Sequence, residues 1–387
     1  MAKKKVLEII TLAGSAEAFI GDQFSFFQKE GDYEMHLICS YGKSLDDFAR
    51  KQGIKYKVVE ISRKLAPIKD LKAVIEIARY IRKNNIDIIV AHYFVKSSLL
   101  ANCANLLAGN KTKVMIAHGV LQDTMHGLKR KLVIWEQKFD VLFAKKVICV
   151  SPSVARRRRE DGIDSADQQV ILGKGSCNGV DAINKFNPDN VPVKDVEDLK
   201  LKFGLTESDI VIGFSGRLVR DKGIIELSQA FCSLKERHLN KSIKLLIIGE
   251  KEKRDAVPQE VLGVLEGNPD VIFTGRVDYS EIQKYYLLMD VLVLPSYREG
   301  FPTVVLESSA MGIPAIVSKS TGCIDSIQEG VTGIYTDITS ESIVRSIEFF
   351  FDKEITKKMG KNARKNIMEN YDQRIIRKYM LDVLNSL

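Results

Sequence analysis

The sequence predicts an α/β protein made of two doubly wound domains in tandem. Three observations carry this. Short apolar, β-rich runs alternate with amphipathic helical stretches along nearly the whole chain, the pattern of right-handed crossovers and parallel sheets. The 387 residues suffice for two domains of about 100–200 residues each. A cluster of Asn, Pro and Asp at 184–193 (NKFNPDNVPV) interrupts the periodicity near mid-chain, as a linker would.

In the first half, strands are expected at 6–12, 35–40, 56–61, 86–91, 113–117 and 146–150, with a short one at 169–172. These runs are rich in Val, Ile and Leu, as strands covered on both faces require. Helices at 71–83 and 128–144 place apolar residues three and four apart. The second half repeats the scheme with strands at 210–215, 244–248, 271–274, 291–294 and 315–318. From about residue 338 the pattern is helical, and 371–387 reads as one final helix.

Composition bounds the function. Hydrophobic residues make up 45% and charged residues 28%, as in ordinary globular proteins. No apolar run approaches the ~20 residues a membrane span needs. Residues 3–14 are too short, and too interrupted by Glu8, for a secretory signal. A cytoplasmic location is the expectation. The six cysteines form no CxxC pair and the five histidines no HExxH pattern, so neither a metal nor another cofactor is expected.

The net charge of +8 is uneven: residues 1–190 contribute +10 and residues 191–387 contribute −2. The basic half is expected to face an anion such as a membrane surface or a diphosphate. Arg156–Arg159 is its densest run. Lys129, Arg130, Lys131, Lys138, Lys145 and Lys146 flank an amphipathic helix carrying Leu132, Ile134, Trp135 and Phe139. Phe19, Phe24, Phe26 and Phe27 form a third candidate for lipid contact. Aromatic residues do not interleave with the basic runs as nucleic-acid readers require, and no nucleic-acid partner is expected.

The strongest chemical signal is Tyr297 to Gly312, YREGFPTVVLESSAMG. Strand 291–294 runs into a loop carrying Glu299 and Gly300. Pro302 is suited to the first helical position, and Glu307 falls in that helix's second turn. One carboxylate thus stands where open α/β sheets bind ligands, beside a helix start that favours an anion. The second signal is Gly213 to Gly223, GFSGRLVRDKG. Strand 210–215 leads into Gly216, then Arg217 and Lys222, two cations suited to phosphate oxygens. Weaker signals are Asn178-Gly-Val-Asp181, His118-Gly119 after strand 113–117, and Leu12-Ala-Gly14-Ser15 before a helix near Glu17. The last could wrap a phosphate, but it is neither GxGxxG nor a P-loop.

Together these residues resemble the retaining family 4 glycosyltransferases of GT-B fold, across nearly the whole chain. The likeness is most specific over 213–223 and 294–333, which hold the family's E-x7-E motif. His118-Gly119, Trp135-Glu136, Val150-Ser151, Asn178-Gly-Val-Asp181 and Gly322-Cys323 resemble the branch that builds capsular and other lipid-linked polysaccharides. That branch usually has Thr where Ala117 stands, and Arg-Glu where Ile324-Asp325 stand.

The resemblance implies two Rossmann-like domains facing each other across a cleft. Residues 1–185 would bind the acceptor and 186–370 the nucleotide-sugar donor, with helix 371–387 packing back on the first domain. Arg217 and Lys222 would hold the donor diphosphate, and Glu299 the sugar hydroxyls. Backbone N–H groups of Gly300, Phe301, Thr303 and Val304 would cradle sugar and phosphates. Glu307 would take the ribose, and main chain around Arg276 the base. Gly14 and His118 would close the site from the first domain. The donor is expected to be UDP-linked and the acceptor a saccharide on polyprenyl diphosphate, with no metal. A hexosyl or N-acetylhexosaminyl group would move with retention, at the inner face of the plasma membrane if the basic half meets lipid. Two alternatives stand beside this: a UDP-sugar 2-epimerase-like isomerase of related fold, which lacks the Glu-Gly-Phe-Pro arrangement, and a non-catalytic basic membrane-binding protein.

Overall fold

The computed structural model describes residues 3–61, 66–93, 96–252 and 255–387, apart from the side chains of Ser15, Glu17, Ala18, Phe19 and Lys96. The chain divides into two compact units, Met1–Asn178 with Ile375–Leu387, and Gly179–Arg374.

The first unit holds a seven-stranded sheet. Its strands are β1 (Lys4–Leu12), β2 (Tyr33–Ser40), β3 (Lys55–Val58), β4 (Ile88–His92), β5 (Thr112–Ala117), β6 (Lys146–Cys149) and β7 (Gln169–Val170). All pairs are parallel, in the order β3-β2-β1-β4-β5-β6-β7. The order reverses between β1 and β4, the mark of a doubly wound sheet. Helices such as Pro67–Asn84 and Lys96–Leu107 make the crossovers. One core cluster joins Leu7, Ile9 and Ile89 of the sheet to Ile77 and Ile81 of the first of these helices. The final helix, Gln373–Asn385, is tied to this unit from Ile375 onward. Arg377 donates to Asp22 and Asn178, and Tyr33 donates to Asn385 at 2.8 Å.

The second unit repeats the design with six parallel strands. These are β8 (Ile210–Ser215), β9 (Ile243–Ile248), β10 (Val271–Gly275), β11 (Val291–Leu294), β12 (Ala315–Ser318) and β13 (Gly333–Thr336). Their order is β10-β9-β8-β11-β12-β13, so the switch point lies between β8 and β11. Every residue of β8, β11 and β12 is buried. Continuous apolar strands follow from helices covering both faces.

Several expectations need correction. The units part after Asn178 rather than after residue 185. Ala182, Phe186 and Val191, from the linker-like stretch, are buried in the second core. A helix, Ala13–Ile20, starts directly after β1 rather than near Glu17, so Gly14 is an exposed residue of its first turn and not of a loop ahead of it. Ala13, Ala16 and Ile20 are all buried, and their helical spacing explains the early start. Pro302 caps the helix Thr303–Ala310 from outside instead of opening it. The arginine run is not one exposed patch: Arg158 is fully buried on Asp164 and Gln137 and Arg157 is half-buried on Asp123, while Arg156 and Arg159 stay exposed, Arg159 donating to Gln169. Phe24 and Phe27 are core residues, while Phe19 lies outside the described side chains.

Candidate active site

In the second unit, chemistry converges on the carboxyl ends of β8 and β11. After β8 the chain makes a 3-10 turn, Arg220–Lys222, then enters the helix Ile224–Arg237 through Gly223. After β11 it forms the loop that carries Ser296 and Glu299. Backbone contacts hold the two segments together. Tyr297 N–H donates to Asp221 O at 2.9 Å, and Ser296 Oγ donates to the same carbonyl at 3.0 Å. Arg298 reaches Asp221 Oδ2 at 3.1 Å. Gly223 permits the approach: it sits at φ +70°, and a Cβ there would stand 2.1 Å from Pro295 O.

A third segment locks the loop from the other side. Glu299 N–H donates to Thr321 O at 3.0 Å, and Ser320 Oγ donates to Ser296 O at 2.7 Å. Gly322 lies at φ +82°, where a Cβ would meet both Glu299 O and Gly300 O at 2.5 Å. Gly322-Cys323 is thus a backbone rest for the Glu299 loop. Burial pushes the Cys323 thiol up to about 12, with the Glu299 charge adding to it.

The result is a direct ion pair between Lys222 Nζ and Glu299 Oε1, each side chain only 15% exposed. Beside it the helix Thr303–Ala310 begins with no side-chain hydrogen bond at its cap. Its first N–H groups are therefore suited to an anion. Phe301 lies against Tyr371, ring centroids 5.5 Å apart. Arg217 differs from Lys222: its side chain is 59% exposed and meets Glu252 at 3.3 Å. Gly216 N–H donates to Ile248 O at 2.9 Å. Arg276, just past β10, is exposed.

Glu307 is buried in the same helix. Tyr286 donates to its Oε2 at 2.7 Å and Tyr279 to its Oε1 at 3.1 Å. Burial pushes the Glu307 carboxyl up, against the pull of these donors and of Lys185. The Lys185 ammonium sits 2.8 Å from the Tyr279 ring centroid, and burial pulls its pKa down to about 8. Sequence reasoning found Glu307 and missed these three neighbours, which lie far from it along the chain.

In the first unit, His118 follows β5 as expected, but it is not alone. Its Nε2 lies 2.8 Å from His92 Nδ1, and His92 Nε2 lies 2.8 Å from Glu8 Oε2. The two imidazoles stack at 14°. Burial, then the neighbouring His92, hold His118 well below the usual histidine range. Glu8 and His92 are buried on adjacent strands β1 and β4. Their signal was a polar residue inside each apolar run. Among the described residues, no group of three or more His, Cys, Asp or Glu side chains is arranged to hold a metal ion.

Two family models match successive parts of the chain. Residues 24–181 match "Glycosyltransferase Family 4" and residues 195–366 match "Glycosyl transferases group 1". The chain is 28% identical over 379 residues to a capsular polysaccharide biosynthesis glycosyltransferase, CapM, of Staphylococcus aureus, covering 97% of this chain and 95% of that one. It is 26% identical to the UDP-Gal:alpha-D-GlcNAc-diphosphoundecaprenol alpha-1,3-galactosyltransferase of Escherichia coli, covering 95% and 92%. Among solved structures, a glycosyltransferase from Rickettsia africae superposes with a TM-score of 0.82 at 19% identity, covering 99% and 98%. The chain belongs to the family 4 glycosyltransferases of GT-B fold, and it resembles their branch that builds capsular and lipid-linked polysaccharides.

Proposed function

We propose that this glycosyltransferase moves a hexosyl or N-acetylhexosaminyl group from a UDP-sugar to a saccharide carried on polyprenyl diphosphate. The observation that carries this reading is the Lys222–Glu299 pair at the β8/β11 switch point, beside an uncapped helix start. The cation and the helix start suit a diphosphate, and the carboxylate suits sugar hydroxyls. The name of the Escherichia coli relative, with its UDP-Gal donor and diphosphoundecaprenol-linked acceptor, supports the choice of both partners.

On this reading Lys222 turns from Glu299 to the departing diphosphate, and Arg217 leaves Glu252 to join it. The backbone of Gly300, Phe301, Thr303 and Val304 cradles sugar and phosphates. Glu307 takes ribose hydroxyls in place of Tyr279, while buried Tyr286 stays bound. Main chain by Arg276 reads the base. The bond from the anomeric carbon to the diphosphate breaks, and a bond to the acceptor oxygen forms on the same face. The acceptor proton passes to a leaving diphosphate oxygen, so configuration is retained and charge is balanced by Lys222 and Arg217 rather than by a metal. Gly14 and His118 belong to this reading through the family resemblance alone.

A thermal-shift panel of UDP-, GDP- and ADP-sugars identifies the donor, because a ligand that binds only the folded state raises Tm. UDP-sugars are expected to raise it and the others not. Lys222→Ala is expected to lower kcat by about 10²–10³, the loss of one preorganised charge partner, and Glu299→Ala to do likewise with the fold intact. Unchanged transfer by both variants overturns the reading.

A further inference from the structure

The turn that follows Asn178-Gly-Val-Asp181 brings a cation to the helix that carries Glu307. Asp181 Oδ1 accepts from Asn184 N–H at 2.9 Å, and Phe186 N–H donates to Asp181 O at 2.8 Å. Arg364, from the helix Lys353–Asn370, pins this turn by donating to Phe186 O at 3.1 Å and to Asn187 Oδ1 at 2.7 Å. Phe186 itself is buried in the second core, which fixes the backbone of the residue before it. That residue is Lys185, half-buried. Its ammonium stands 4.9 Å from the centroid of the Phe186 ring and 2.8 Å from that of Tyr279. The two rings meet edge to face at 6.0 Å, and a cation over such faces is held by their quadrupoles. Tyr279 in turn donates to Glu307 Oε1. Lys185, Tyr279 and Glu307 therefore form one contiguous row.

Charge says which group the lysine serves. Three carboxylates face it: Glu307 most strongly, then Asp181 and Asp278. Asp181 is spent on Asn184, whose N–H and side-chain amide both donate to it. Asp278 is exposed, accepts from the N–H of Ser280 at 2.8 Å and its hydroxyl at 2.6 Å, and has Arg276 nearby. Glu307 is the buried one, and charges act most strongly where water is excluded. The groups that face Glu307 are Tyr286, Lys185 and Tyr279. The tyrosines supply hydrogen bonds, and Lys185 supplies the opposite charge. Arg364 reaches the same helix only at its end, on Ala310 O. A buried carboxylate that lacks a cation takes up a proton. One of its oxygens then becomes a donor and can no longer accept from a hydroxyl.

We propose that Lys185 is a positioning residue for the donor: it keeps Glu307 ionised, so that both carboxylate oxygens can accept from the ribose hydroxyls. It acts through Glu307 and not on the nucleotide. The inference rests on the ribose role given to Glu307 above, and adds to it the group on which that role depends.

The test compares UDP with 2′,3′-dideoxy-UDP by titration calorimetry from about pH 5 to about pH 8. The two carry the same phosphates, so phosphate titration cancels in the ratio of their Kd values. At neutral pH the wild type should bind UDP at least about tenfold tighter than the dideoxy analogue, the worth of hydrogen bonds to a charged group. That advantage should fade as falling pH protonates Glu307. In Lys185→Met the pH at which half of it is lost should rise by about 1–3 units, the effect of a cation beside a carboxyl. Lys185→Arg should restore the wild-type midpoint, and Glu307→Gln should make the ratio indifferent to pH. The dideoxy analogue, which lacks the hydroxyls, reports in each variant that the site is folded. An unshifted midpoint in Lys185→Met overturns the proposal and leaves the ribose role of Glu307 standing. A shift that persists in Lys185→Arg overturns it too, by assigning the effect to packing instead of charge. Equal binding of the two nucleotides by the wild type removes Glu307 from the ribose, and both readings fall together.

Discussion

Replacing Gly223 by alanine tests whether backbone contact assembles the Lys222–Glu299 pair. Gly223 joins the Lys222 turn to its helix at φ +70°, and an added Cβ would stand 2.1 Å from Pro295 O. That oxygen is main chain and cannot swing aside. Left-handed backbone costs a non-glycine residue about 1–2 kcal/mol, and overfilling packed space costs about 1–3 more. Together they amount to at least about 2 kcal/mol, or about 4–8 °C in Tm for a unit of this size. Real Cβ atoms essentially never come within 3.0 Å of such a neighbour, so the turn and the loop must part by about 1 Å. A misplacement of that size costs about 10²-fold in rate. Gly204 supplies the control: it ends the helix Val193–Phe203 at φ +64°, with open space where a Cβ would go. Gly204→Ala carries the backbone strain alone and should keep wild-type transfer. The assay is thermal unfolding with kcat/KM for both variants. A Gly223→Ala enzyme with full transfer, and a Tm no lower than that of Gly204→Ala, would refute the reasoning.

Two further outcomes follow from buried charge. Burial, then the charge of Asp140, push the Glu136 carboxyl up to about 7. A carboxyl raised on folding binds its proton more tightly in the native state, so the native state loses stability as pH rises from the ordinary carboxylate range through about 7. Glu136→Gln has no such proton to lose. Its Tm advantage over wild type should grow between pH 4.5 and about 7 and level off above; a gap that stays flat across that window would contradict the assignment. Arg158→Ala strands buried Asp164 and should cost about 3–5 kcal/mol in denaturant unfolding. Arg156→Ala, at an exposed position, should fall within about 0.5 kcal/mol of wild type. Equal effects would show that the run acts as one patch.

The strands legible to the residue are those with cover on both faces, although the edge strand β10 was also read to within one residue. The runs 210–215, 291–294 and 315–318 match β8, β11 and β12 residue for residue, and all three are interior strands. The misread strands lie at sheet edges. β3 is Lys-Tyr-Lys-Val, mostly exposed, and is shorter than expected. β7 has only two residues. β13, Gly-Ile-Tyr-Thr, escaped notice because its partly buried residues leave no continuous apolar run. An edge strand has one neighbour, so its pattern is diluted by solvent.

The site divides in the same way. Lys222, Glu299 and Gly322 were legible because short loops after strands bring them together, and the switch-point rule says where such loops meet. Glu8 and His92 are separated by 84 residues, and only the strand order places β1 beside β4. The interruption of an apolar run by Glu8 was visible, but its meaning needed the partner strand.

The helix Gly127–Val141 shows a deeper limit. Periodicity reveals that apolar residues share a face, yet it is blind to which face turns inward. The usual assumption turns the apolar face to the core, and here only Val141 follows it: Gln137 and Asp140 are buried beside it, while Leu128, Leu132 and Trp135 are exposed. The interior next to this helix already holds Lys113, Arg158 and Gln122. Those groups demand polar partners, because a buried charge left unpaired is costly. Gln137 and Asp140 must therefore point in, and Leu132 and Trp135 are driven out on the opposite side. The exposed stripe is thus a consequence of the buried polar network. The stripe can therefore be made polar without unfolding the unit, whereas an apolar residue at Asp140 would take from buried Lys113 its charge partner.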